Sequence, residues 1–209
     1  DPGHGAAMLR RAVGFKRPPY RVLDATAGLA RDAFLLAAAG CQVLAIERSP
    51  IIAALVEDGL ARAARAGSQT VDRLTMLVAD ARRWLEAGLV EQRGVGKDAG
   101  GIGRTAASPE CPPPDGRSFD AIYLDPMFPQ RSKSALVKKE MRLCRLVAGE
   151  DEDAAELLDA ARRVARLRVV VKRPAHAPPL APESAFSIPG RTIRYDVYLP
   201  LSPGCAGSP

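Results

Sequence analysis

The stretch Arg21-Val22-Leu23-Asp24-Ala25-Thr26-Ala27-Gly28-Leu29-Ala30-Arg31-Asp32 decides the fold. It opens as a short apolar run ending in an acid, passes through a turn of small residues, and enters a helix. Residues 30–39 carry Ala30, Phe34, Leu35 and Ala38 at helical spacing, up to Gly40. The same strand–turn–helix unit then recurs. Gln42 to Ile46 reads as a second strand ending at Glu47, and Ser49-Pro50 supplies an N-cap with proline at the first helical position. The helix from Pro50 to about Ala66 places Ile52, Leu55, Val56 and Leu60 on one stripe, and Gly67 ends it. Leu74 to Val78 is a third strand, followed by a short helix through Trp84 and Leu85. Phe119 to Leu124 and Arg168 to Val171 are the fourth and fifth strands, with helices expected over 134–147 and 151–166. The last segments, about 184–188 and 192–199, read as an antiparallel pair. Alternation of this kind predicts an α/β fold, a mostly parallel sheet with helices on both faces.

The chain has 209 residues, enough for one well-buried domain without staples. Hydrophobic residues make up 47% and charged residues 26%, so the composition excludes wholesale disorder. The net charge of +6 permits a polyanionic partner. Cys41, Cys111, Cys144 and Cys205 form no C-x-x-C pair, and His4 and His176 are the only histidines. Neither a zinc site nor a disulfide framework is supported, and no metal is expected. No apolar run approaches the roughly 20 residues that span a bilayer, and no secretory segment opens the chain. A reduced, cytoplasmic protein with no membrane association is expected. Residues 93–117 break the pattern, being glycine-rich and holding Pro109, Pro112, Pro113 and Pro114; they read as a flexible insertion.

In open α/β sheets, ligands bind at the carboxyl ends of the strands. Asp24 ends the first strand, and the small residues that follow let backbone approach a ligand at a helix N-terminus. Only Gly28 is a glycine, so the dinucleotide fingerprint is lacking, and the turn taken alone could be a tight connection. Glu47, at the end of the next strand, offers the paired acceptors that a ribose diol needs. Asp80 stands at a third strand end, placed to meet an adenine edge. Three such acids without a phosphate-binding loop favour S-adenosylmethionine over NAD or ATP.

The fourth strand ends in Asp125-Pro126-Met127-Phe128-Pro129. A carboxylate before a proline-stiffened loop can orient an exocyclic amine, and Phe128 offers a flat platform for a base. The same carboxylate would stabilise positive charge developing on the attacking nitrogen. A turn with Phe128 in the core is the plainer reading of these residues. Basic residues gather nearby. Lys133, Lys138, Lys139 and Arg142 are the best candidates for RNA phosphate contacts, followed by Lys172 and Arg173 at the end of the fifth strand. Arg162 to Arg166 close a helix that Glu152, Asp153 and Glu156 open, an arrangement the helix dipole favours.

Asp24 to Phe34, Glu47-Arg48-Ser49-Pro50, Asp58 to Arg62, Tyr123 to Pro129, Lys133 to Arg142, Val169 to Pro174 and Ala177 to Ala181 together resemble one family. It is the bacterial small-subunit (16S) ribosomal RNA guanine-N2 methyltransferase J family, within the class I S-adenosylmethionine-dependent methyltransferases. The resemblance runs from about Gly5 to Leu199, outside the insertion at about 93–117. The Asp125 loop also resembles the D/N-P-P-Y/F signature of amino-methyltransferases, with Met127 in place of the second proline. The resemblance implies a Rossmann-like, seven-stranded sheet with an antiparallel C-terminal strand. It implies a cofactor site of Asp24, Gly28, Arg31, Asp32, Glu47, Arg48, Asp80, Ala81 and Asp125, with Asp125, Pro126 and Phe128 at the chemistry. The implied reaction methylates N2 of a guanosine near the 3′ end of 16S rRNA, free or in the small subunit, leaving S-adenosylhomocysteine. No obligate protein partner is implied. Ala30 stands where the family has glycine, and Asp80-Ala81 replaces a pair of serines. Residues 1–20 read as the remnant of a longer N-terminal segment, residues 21–200 as the methyltransferase domain, and residues 201–209 as a tail.

Two other readings use the same residues. One is an amino-methyltransferase acting on another nucleic acid or a protein amide. The other is a catalytically silent RNA-binding module, against which the intact Asp125 loop argues.

Overall fold

The computed structural model describes residues 2–94, 119–126 and 153–201. Its strands are β1 (Arg21–Asp24), β2 (Gln42–Glu47), β3 (Leu74–Val78), β4 (Ala121–Leu124), β5 (Arg168–Pro174), β6 (Phe186–Pro189) and β7 (Ile193–Tyr198). Among the described residues these form one sheet in the order β3-β2-β1-β4-β5-β7-β6. Neighbours from β3 to β5 are parallel, and β7 runs antiparallel to both β5 and β6. The expected terminal pair is therefore present, with β7 as the reversed strand. Strand order turns back at β1 and β4, and such a switch point is where open α/β sheets bind ligands.

The helices are α1 (Pro2–Val13), α2 (Arg31–Ala38), α3 (Pro50–Arg65), α4 (Ala81–Gly94) and α5 (Ala154–Val164). Strand alternation divides the core in two. Val22, Val43, Ala45, Tyr123, Val170, Tyr195 and Val197 pack with α1 and α2 on one face. Leu23, Ile46, Ile122, Leu124, Val169 and Val171 pack with α4 and α5 on the other. Both faces are buried, so the central strands read as continuous apolar runs rather than alternating ones.

Local signals set the helix ends. Ser49 caps α3 by accepting from Ile52 N, with Pro50 at its first position. Gly40, at φ 104°, turns the chain out of α2 in a conformation that Cβ disfavours. Helix α5 has Glu156 in its first turn and Arg162 and Arg163 in its last. Arg163 pairs with Asp159, and Arg162 Nε donates to Leu199 O at 3.1 Å. That structural use matches the dipole reading of these arginines.

Two differences from the expectation stand out. Residues 1–20 carry no predicted element, yet α1 buries Leu9, Ala12 and Val13 in the core on the α2 face. Leu9 is fully enclosed, so Leu9→Ala costs about 2–5 kcal/mol by analogy with other core truncations. Helix α4 extends past Leu85 to Gly94, into the start of the expected insertion. The rest of that insertion and the helix expected over 134–147 lie outside the described residues.

Candidate active site

The acids at the strand ends share a face for a simple reason. Asp24, Glu47 and Asp125 continue the period-two pattern of their strands, as does Lys172 within β5. Parallel register brings β4 and β5 level at Leu124 and Val171, so Asp125 and Lys172 come next to each other, one residue further along. Helix α2 leaves β1 over the same face and delivers Asp32 in its first turn. These groups border a cavity of about 430 Å³.

All nine residues expected around the cofactor line this cavity: Asp24, Gly28, Arg31, Asp32, Glu47, Arg48, Asp80, Ala81 and Asp125. Glu47 is held by two backbone amides. Gly28 N donates to its Oε2 at 2.9 Å, and Ser49 N donates to its Oε1 at 2.7 Å. Gly28 reaches that position at φ 51°, which glycine adopts without strain. Each carboxylate oxygen keeps another lone pair, so Glu47 still presents two adjacent acceptors to a diol. This pair of acceptors fits the ribose of an adenosine-type cofactor. Asp80 has a second task, since its Oδ1 accepts from Arg83 N at 3.0 Å and caps the start of α4.

The turn after β1 and the loop after β4 are tied together. Thr26 N donates to Asp24 Oδ1 at 3.1 Å, and Thr26 Oγ1 accepts from Asp125 N at 2.6 Å. Asp24 is 1% exposed, and burial pushes its carboxyl up to about 8. Asp125 is different: its side chain is 41% exposed at the cavity wall, and the following Pro126 is buried.

Lys172 departs from the expectation that it meets RNA phosphate. Its Nζ donates to Asp32 Oδ2 at 2.8 Å and to Asp125 Oδ2 at 2.9 Å, inside the cavity. Burial alone would lower its pKa, but Asp125 and Asp32 overturn that and hold it above the usual lysine range. Arg173 departs as well. It is 5% exposed, and its Nε and Nη2 donate to Pro178 O at 3.0 and 2.6 Å, so its guanidinium braces a loop instead of facing a polyanion. Phe128, Lys133, Lys138, Lys139 and Arg142 lie outside the described residues.

Several contributors to the cavity carry no signal in the sequence. Tyr123 looks like core and is 1% exposed, yet its hydroxyl donates to Asp32 Oδ2 at 2.5 Å. Thr26 lies in a turn of small residues where nothing local marks its hydroxyl as an acceptor for Asp125 N. Asp153 and Leu157 line the cavity from the start of α5, and Arg82 of α4 ion-pairs with Asp153 at 3.5 Å. No local signal in the sequence brings α4 and α5 together over the site.

Comparison with known proteins bears on this geometry. A family profile described as putative SAM-dependent methyltransferase matches residues 2–95 and 108–200, leaving 96–107 unmatched. Ribosomal RNA small subunit methyltransferase J of Thioalkalivibrio sulfidiphilus is 49% identical over 197 residues, covering 91% of this chain and 67% of that protein. The protein of the same name from Marinobacter nauticus is 46% identical over 202 residues, covering 94% of this chain and 63% of its own length. The chain belongs to the ribosomal RNA small subunit methyltransferase J family. It is thus an S-adenosylmethionine-dependent methyltransferase, and it spans about two thirds of the length of these two relatives. The crystal structure of the SAM-dependent methyltransferase NGO1261 from Neisseria gonorrhoeae superposes with a TM-score of 0.64 at 33% identity, covering 97% of this chain and 72% of that one. The seven-stranded arrangement with reversed β7 is accordingly the sheet of a class I SAM-dependent methyltransferase. Among the described residues, no helix is long and apolar enough to cross a membrane.

Proposed function

We propose that this methyltransferase modifies the exocyclic N2 of a guanosine in 16S rRNA, in the cytoplasm, on free rRNA or the small ribosomal subunit. The name of its relatives supports an RNA of the small subunit as substrate. The observation that carries the chemistry is Asp125, a carboxylate accessible at the wall of the cavity yet fixed by its backbone to Thr26.

S-adenosylmethionine, when bound, supplies an electrophilic methyl on its sulfonium. Glu47, Asp80 and the Gly28 turn are the residues that would hold its adenosine, with Asp24, Arg31, Asp32, Arg48 and Ala81 completing the wall. Guanine N2 is a poor nucleophile because its lone pair is delocalised into the ring. Asp125 accepts a hydrogen bond from the N2–H, which orients the amine and favours the pyramidal geometry of attack. Its charge also stabilises the cation developing on nitrogen as S-adenosylhomocysteine departs, and the surplus N2 proton passes to water or to Asp125. The buried Pro126 stiffens the exit from β4. Phe128 is proposed to stack on the base, and Lys133, Lys138, Lys139 and Arg142 to contact phosphate, both from sequence alone.

The test is methyl transfer from labelled S-adenosylmethionine to small subunits isolated from a strain lacking the enzyme, with the product nucleoside identified by mass spectrometry. Wild type should yield N2-methylguanosine at one site, and Asp125→Asn should lose at least about 100-fold in rate. Near-normal transfer by Asp125→Asn, or another methylated nucleoside, would overturn the reading.

A further inference from the structure

We infer that Lys172 is the positioning residue of the reaction: its ammonium clamps the Asp125 carboxylate and joins it to Asp32, fixing where the substrate amine is received. The inference rests on the proposed role of Asp125 and adds a residue that the sequence pattern assigns to RNA phosphate.

The clamp is built from three elements. Lys172 sits on β5, Asp125 follows β4, and Asp32 is in the first turn of α2. The ammonium bridges the two carboxylates at 2.8 and 2.9 Å, and Tyr123 donates to the same Asp32 oxygen at 2.5 Å from beneath. A continuous chain thus runs from buried Tyr123 through Asp32 and Lys172 to the accessible Asp125. Lys172 is 23% exposed and Asp32 20%, so this pairing is shielded where a surface ion pair is not. A lysine that gripped phosphate would have to give up both of its ion pairs in the cavity, a costly exchange.

The arrangement has a kinetic consequence. The ammonium restrains the accessible Asp125 carboxylate, and a receiving group misplaced by about 1 Å loses roughly 100-fold in rate. The clamp also sets the charge of Asp125. Among the described residues, the groups facing it include Lys172 of β5, Asp24 of β1, Asp32 of α2, Tyr123 of β4 and Tyr195 of β7. Lys172 is the cation among those five, and a cation in contact with a carboxylate favours its charged form. Remove it, and Asp125 and Asp32 repel each other, so Asp125 takes up a proton at higher pH.

The experiment compares wild type, Lys172→Met, Lys172→Arg, Asp125→Asn and the Lys172→Met/Asp125→Asn double variant. Steady-state methyl transfer is followed from pH 5 to 9. In parallel, S-adenosylhomocysteine affinity is measured by calorimetry and folding by thermal melts. Lys172→Met should lose about 100-fold in kcat, with its acid limb shifted upward. Any loss of affinity for S-adenosylhomocysteine should be much smaller than the loss in kcat. Lys172→Arg, which keeps the charge, should recover kcat to within about tenfold and return the limb toward wild type. In the Asp125→Asn background, losing Lys172 should cost little more, because both changes disable one unit. If Lys172→Met melts too low to assay, Lys172→Gln is read in the same way. Wild-type kcat and pH limb in Lys172→Met would overturn the inference, as would additive losses in the double variant. Asp125→Asn that stays active would instead defeat the role of Asp125 itself.

Discussion

The backbone amide of Asp125 donates to the hydroxyl of Thr26 at 2.6 Å, which pins the loop leaving β4 to the turn leaving β1. The two residues are 99 positions apart in sequence. Thr26 also orders its own turn by donating its amide to Asp24. One residue therefore ties the turn after β1 to the loop that carries Asp125.

Thr26→Val keeps the shape and removes the acceptor, leaving the Asp125 amide unpaired. Stability should fall by about 1–3 kcal/mol and methyl transfer by roughly tenfold or more. Thr26→Ser should retain most of both. Denaturant unfolding and initial rates check this pair; equal behaviour of the valine and serine variants would show that the hydroxyl is dispensable.

Glu47 accepts from two backbone amides, one on each oxygen. Glu47→Gln replaces one oxygen with an NH₂, which must then face an N–H donor from Gly28 or Ser49. The expected result is a loss of about 1–3 kcal/mol in stability and at least tenfold in affinity for S-adenosylhomocysteine. Calorimetric titration reads the second quantity directly. Undiminished affinity would remove Glu47 from the cofactor site.

Asp24 is buried, and its carboxyl is pushed up to about 8, chiefly by desolvation. An unfolded aspartate titrates near about 3.9, so between these values the folded state keeps a proton that the unfolded state has released. This group's contribution is fullest below about pH 4 and is lost as pH rises toward 8, by up to about 1.4 kcal/mol per unit. Asp24→Asn keeps the acceptor for Thr26 N but does not titrate. Its stability relative to wild type should therefore improve between pH 5 and pH 8 in denaturant unfolding. A difference that stays constant with pH would mean that Asp24 is ionised throughout.

Ala30 precedes α2 at φ 54° and ψ 27°, the left-handed region, although it carries a Cβ. That conformation costs a non-glycine residue about 1–2 kcal/mol, and the buried methyl returns about 0.8 kcal/mol at most. Ala30→Gly should then leave stability unchanged or raise it by up to about 1 kcal/mol. Ala30→Val, β-branched, should lower it by more than about 2 kcal/mol. Thermal melts of the two variants check the sign, and a clear loss in the glycine variant would contradict the left-handed geometry.

Much of this molecule is legible in one dimension. Strand and helix periods, the Ser49-Pro50 start, and the acids at Asp24, Glu47, Asp80 and Asp125 depend on residues within a few positions of one another. Local chemistry fixes such features before any packing occurs. Because parallel strands all present their carboxyl ends to one side, those acids had to converge, and all four line the cavity. The residues of α1 lacked such a signal, because its buried stripe of Leu9, Ala12 and Val13 is narrow and is defined by the sheet it covers.

The partners of the long side chains were decided only in three dimensions. Lys172 and Arg173 are adjacent cations in the sequence and point to opposite faces of β5, as strand geometry requires. One meets Asp32 and Asp125; the other braces Pro178 O. Tyr123 reads as an apolar core residue until α2 lays Asp32 over its hydroxyl. Composition and period determine which face a residue occupies. What stands opposite it depends on the register between strands distant in sequence and on the helix that crosses above them, and those are set by tertiary packing.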